Sequence, residues 1–149
     1  MREKIATALK DAINQQDKHR VSTLRLIQTA IQDRDVANRS AGKDPISEGE
    51  IAAVLVTMLK QRKESVLHYE ESSQLELAQQ ERDEMEIIRS FLPKQLSDAD
   101  TERLCAQVVN EVGAGGLRDM GRCMNALKTK YPGQMDFSKA SGIVKDLLR

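Results

Sequence analysis

Two cysteines and two histidines are the side chains best suited to chemistry in this chain, and their spacing excludes most of it. Cys105 and Cys123 are isolated thiols, and His19 lies far from His68. Metal sites need clustered ligands, so none is expected. Cys123 has Arg122 beside it, but its motif offers no histidine to act as base. Such a thiol is expected to be a small packed residue. Gly113-Ala114-Gly115-Gly116 opens a helix, and backbone N–H groups there could hold an anion. It lacks the Lys-Ser/Thr that makes a phosphate loop specific, so a flexible turn is expected. No catalytic residue and no cofactor is therefore assigned.

One glycine sits where a helix should disfavour it. From Leu117 onward, Leu117, Met120, Met124, Leu127 and Tyr131 recur at spacings of three and four, the period of a buried helical face. Gly121 lies at the edge of that stripe and costs about 1 kcal/mol of helix stability relative to alanine. The expected gain is close approach, first of another backbone and second of a ligand. Arg118, Arg122, Asn125 and Thr129 share the opposite face, with Lys128 to one side. Lys139, Lys145 and Arg149 follow on the next helix.

These elements belong to an all-α chain. Of the 149 residues, 3% are aromatic and 31% are charged, with no Trp and three Pro. Leu, Ala, Glu, Lys, Gln and Arg abound, and all are good helix formers. The net charge is zero, so no global field draws the molecule to nucleic acid or membrane. Charge is nevertheless segregated. Residues 44–92 carry five basic and eleven acidic side chains, whereas from 117 onward there are seven basic and three acidic. No apolar run is long enough for a bilayer and no leader is apparent, so a cytoplasmic protein with reduced thiols is expected.

Periodicity and caps divide the chain. A first helix from Glu3 to Gln15 buries Ile5, Leu9, Ala12 and Ile13. A second, capped by Asp17, carries Leu24, Ile27 and Ile31 to about Asn38. Ser47 and Glu50 form a capping-box pattern opening a third helix, which runs to about Glu70. A fourth follows Glu71-Ser72-Ser73 and ends at Phe91 or Leu92, before Pro93. Ser97 and Asp100 open a fifth, closed by Gly113. The glycine-bearing helix is next. A last helix capped by Asp136 buries Phe137, Ala140, Ile143, Val144, Leu147 and Leu148. Residues 1–93 are thus expected to form a helical-hairpin domain of about four helices. Residues 96–149 form a small three-helix domain, with Pro93-Lys94-Gln95 as hinge.

An ion pair is expected inside the hairpin. Antiparallel folding that sets Ile51 against Leu92, Leu55 against Ile88, Met58 against Met85 and Val66 against Leu77 brings Arg62 opposite Glu81. A half-buried pair of this kind fixes register more than it adds stability.

Leu24-Arg25-Leu26-Ile27, Lys60-Gln61-Arg62-Lys63-Glu64-Ser65, Phe91-Leu92-Pro93-Lys94-Gln95-Leu96 and Asp119-Met120-Gly121-Arg122 occur in that order. In order and spacing they resemble the stand-alone YqeY-like proteins over nearly the whole chain. The C-terminal part of that family is similar to the tail domain of GatB, a subunit of tRNA-dependent amidotransferase, where the tail contacts the outer corner of tRNA. The resemblance implies an all-α two-domain fold. It also implies an RNA-facing region over the Asp119–Lys130 helix and the Tyr131-Pro132-Gly133 turn. The RNA-facing candidates are accordingly Arg118, Gly121, Arg122, Lys128, Lys130, Gly133 and Lys139. Two departures stand out: Glu71-Ser72-Ser73-Gln74 replaces a Gly-rich turn, and Gln134 replaces a basic residue.

Three functions follow in order. The first is a non-catalytic accessory module that binds tRNA or an aminoacylation complex in translation. The second is a protein-interaction module docking through the hairpin without RNA. The third is an amidotransferase-type carbon–nitrogen ligase using glutamine, for which the nucleophile, base and phosphate cradle are not visible. Membrane and DNA partners are not expected, and the sequence does not specify the oligomeric state.

Overall fold

The computed structural model describes all 149 residues and is helical throughout, without strands. Its helices are α1 (Arg2–Asn14), α2 (Lys18–Ser40), α3 (Glu48–Glu71), α4 (Leu75–Arg89), α5 (Asp98–Val112), α6 (Met120–Lys130) and α7 (Phe137–Leu148). A single 3₁₀ turn, Leu117–Asp119, leads into α6. The chain divides into two units, Met1–Leu92 and Pro93–Arg149.

Side-chain caps set the starts of four helices. The Asp17 carboxylate accepts the Arg20 N–H at 3.1 Å, and the Ser97 hydroxyl accepts that of Asp100 at 3.1 Å. Asp136 accepts from Ser138 at 3.0 Å. At α3 the box is reciprocal: Ser47 Oγ accepts the Glu50 N–H at 3.2 Å, while Glu50 Oε1 accepts the Ser47 N–H at 3.4 Å. Each satisfies a backbone donor that a helix start leaves open. Gly113 closes α5 in the left-handed region, at φ 69° and ψ 34°.

In the first unit α1 packs on α2 and α3 packs on α4, with α2 against both arms of the second hairpin. Ile5, Leu24, Ile27, Ile51, Leu55 and Ile88 form the fully buried centre. Several periodic positions lie outside it. Ile13, expected inside, is 48% exposed, because α1 ends beside it and the groove on α1 and α2 stays open. Leu77 is 40% exposed, and Ala78 is the buried residue in that turn. Helix α4 stops at Arg89, short of Phe91 and Leu92, with the Phe91 and Leu92 N–H groups bonded in tight turns to Ile88 and Arg89.

The register pair differs in its partner. Arg62 Nε donates to Glu84 Oε2 at 3.1 Å, not to Glu81. Glu81 lies one turn earlier on α4, where burial and the Glu84 charge raise its pKa. The helical period brings both glutamates to one face, and the guanidinium selects the one farther from the tip.

The second unit packs α5, α6 and α7 mutually around Cys105, Val108, Cys123, Leu127, Ala140 and Val144. Leu147, expected to be buried, is 47% exposed on the last turn of α7. Leu117 is 49% exposed because the 3₁₀ turn carries it off the face of α6.

Candidate functional site

Helix α6 presents Cys123 and Leu127 inward and Gly121, Arg122, Asn125, Lys128 and Thr129 outward. Arg118, in the preceding turn, continues the same outward stripe. A methyl group added at Gly121 would meet no atom within 4 Å. Close backbone packing, the first sequence expectation, is therefore not the reason for this glycine. Gly121 is an open notch in a polar face, flanked along the helix by Arg118, Arg122, Asn125 and Lys128.

The expected basic residues are not equivalent. Arg118 and Lys128 are exposed and have no acidic partner. Arg122 Nη2 donates to the Val112 carbonyl at 2.8 Å and stands 3.9 Å from an Asp119 oxygen. It thereby caps the end of α5 while its side chain stays largely exposed. Lys130 is paired with Glu111, and Lys139 Nζ lies 2.6 Å from Asp98 Oδ1. The Lys130 ammonium holds the Glu111 carboxyl below its ordinary range, with Gln107 adding a second bond, and the same contact raises the Lys130 pKa.

Gly133 is buried, with φ 72°, and its carbonyl accepts Gln95 Nε2 at 2.6 Å. The adjoining Gln134 carbonyl accepts the Leu96 N–H at 2.9 Å. The Tyr131–Gln134 turn thus clasps the start of its own unit, and Gly133 is not on an exposed face. The expected flexible turn at Gly113–Gly116 is also braced. Asp119 Oδ2 accepts the Gly115 N–H at 2.9 Å, so that donor already faces an anion of the chain itself.

The two histidines are exposed and in no ion pair, the His68 ring lying 6.1 Å from the Tyr69 ring, while the other chemistry-bearing groups are placed in cores and ion pairs. Both thiols are fully buried, and burial pushes the Cys105 thiol pKa up. No group of three His, Cys, Asp or Glu is arranged to hold a metal ion. The Arg62–Glu84–Glu81 cluster is half-buried between α3 and α4. Burial, then the neighbouring Glu84 charge, raises the Glu81 pKa, against the opposing pull of Arg62. No helix is long and apolar enough to cross a membrane.

Sequence reading gave no bonding role to Asp119 or to the Val112 carbonyl, which set how the basic face is held. Asp119 carries the signal of an acidic residue just before a helix. A carbonyl acceptor such as that of Val112 carries none.

These features define an all-helical module of two units, the second with an exposed basic helix face. A family model described as Yqey-like protein matches residues 2–148, and the chain belongs to that family. Comparison with curated proteins gives no match.

Proposed function

We propose that the protein is a non-catalytic RNA-binding accessory module that contacts the backbone of tRNA through α6. The observation that carries this reading is the pair of unpartnered cations, Arg118 and Lys128, flanking the open notch at Gly121. Ten residues along a helix spread the two charges by about 15 Å, a span suited to more than one phosphate. Tyr131 and Phe137 are only partly exposed and pack against the core, so the face lacks the open stacking platforms of base-reading proteins. Contact by charge and shape fits better than sequence readout. The buried thiols favour a module without a nucleophile of its own, and purified protein is expected to show no glutaminase turnover.

Salt titration of tRNA binding by the full chain tests the reading. With two or three phosphates neutralised, log affinity falls against log salt with a slope of about −2 to −3. Replacing Arg118 and Lys128 by Gln reduces that slope by about 2 and weakens binding. Lys139→Gln, which removes a cation already held by Asp98, has the smaller effect. Absence of binding at low salt, or a slope indifferent to Arg118 and Lys128, overturns the reading.

A further inference from the structure

The first unit leaves two apolar patches uncovered, and their charges are opposite. One is a groove of about 610 Å³ along α1 and α2. Ile13, Val21 and Leu26 line it, with Ile13 and Leu26 48% and 46% exposed. Lys18 and Arg25 complete it, without an acidic partner, and no carboxylate lines it. The other patch is the α3–α4 tip. There Leu67, Leu75 and Leu77 are 56%, 65% and 40% exposed. Glu71 and Glu76 stand among them without a basic partner.

Chain topology puts both patches toward one end. The Met1 ammonium binds Glu48 at 2.9 Å and Arg2 binds Asp35 at 2.7 Å. These contacts gather the start of α1, the end of α2 and the start of α3. Helices α2 and α3 are nearly equal in length, 23 and 24 residues. The α1–α2 and α3–α4 turns therefore both arrive at the opposite end.

We propose that two copies of this chain associate end to end, the α3–α4 tip of each seated in the α1–α2 groove of the other. Because both patches lie toward one end of the unit, the contact can be made twice and close on a two-fold axis. The tip leucines cover Ile13 and Leu26, and Glu71 and Glu76 approach Lys18 and Arg25. Opposite charges at an apolar contact set its register and exclude like patches.

Sedimentation velocity of the full chain over about 1–500 µM tests this, since assembly follows mass action. A monomer–dimer equilibrium that weakens with salt is expected. Arg25→Glu and Glu76→Arg are each expected to weaken it about tenfold, and the double variant to recover to within about threefold of the parent. Circular dichroism melts establish that each variant folds. Leu75→Ser, at a 65% exposed position, supplies a variant that weakens dimers without touching the core. A chain monomeric throughout overturns the proposal and leaves the groove to a different protein. A dimer unmoved by Arg25→Glu, Glu76→Arg or Leu75→Ser overturns it as well. So does failure of the double variant to recover, or growth into open-ended polymers.

Discussion

Arg62 of α3 bonds Glu84 of α4 at 3.1 Å, while Glu81, one turn away, is left beside the Glu84 charge. Three ionisable groups are thus confined between two helices, with Arg62 and Glu84 only 14% and 20% exposed at their side chains. Removing the one cation leaves two facing carboxylates. Arg62→Met is expected to destabilise the protein by about 1–3 kcal/mol in urea denaturation at neutral pH. Glu81→Gln relieves like-charge repulsion and is expected to be neutral or slightly stabilising.

The same cluster gives a pH dependence of defined sign. The Glu81 pKa is raised above its ordinary 4.5 by burial and by Glu84, so the folded chain binds that proton more tightly than the unfolded chain. Its contribution to stability is complete below the unfolded value and is lost as pH rises through the folded value. Urea midpoints measured from pH 4 to pH 7, for the parent and Glu81→Gln, are expected to differ most at the upper end.

Asp35 acts in the opposite direction. It accepts both terminal nitrogens of Arg2, at 2.7 and 2.8 Å, and the Ile46 N–H at 2.9 Å. Arg2, then the Ile46 amide, hold its carboxyl pKa at about 2, well below the ordinary 3.8. Its contribution is present above the unfolded value and is lost as pH falls through about 2. Asp35→Asn is expected to lower the Tm at neutral pH and to narrow its gap from the parent in acid.

Two turns predict substitutions of opposite effect. Ser73 occupies φ 60° in the α3–α4 connection, and Gly133 occupies φ 72° while buried. Only glycine adopts that region without steric cost. Ser73→Gly is expected to stabilise by about 0.5–1 kcal/mol, and Gly133→Ala to destabilise by about 1–2 kcal/mol. Thermal melts of both variants provide the check.

Gly121→Ala separates stability from binding. Its added methyl meets no neighbour within 4 Å, and alanine favours the helix by about 0.5–1 kcal/mol. A higher Tm together with weaker tRNA binding is the expected result if the notch admits the RNA backbone. A higher Tm with unchanged affinity would place the contact elsewhere on the unit.

The parts of the fold that sequence conveyed were local. Asp17, Ser47, Ser97 and Asp136 act on N–H groups two or three residues away, and Gly113 acts on its own backbone. Long-range partners were not legible. Helical period places Glu81 and Glu84 on one side of α4 but does not choose between them. Asp35 and Arg2 meet across 33 positions, and Lys130 finds Glu111 across 19, with no pattern marking either pair. Exposure failed at element ends: Ile13, Leu77, Leu117 and Leu147 keep the apolar period but lie beyond what the neighbouring helix covers. For Gly121 a wheel shows a missing side chain and says nothing of the space beside it. Four of the seven basic-face candidates, Arg118, Gly121, Arg122 and Lys128, share one exposed stripe, whereas Lys130, Lys139 and Gly133 are engaged elsewhere.

Cys105 and Cys123 are the only two cysteines in the chain, and both lie at 0% exposure in the core of the second unit. A thiol-reactive dye can therefore reach the protein only when that unit opens. Where opening and reclosing are faster than the reaction, the labelling rate reports the opening equilibrium directly. The chain thus contains its own gauge of local stability, readable in one half of the molecule without a probe being engineered into it.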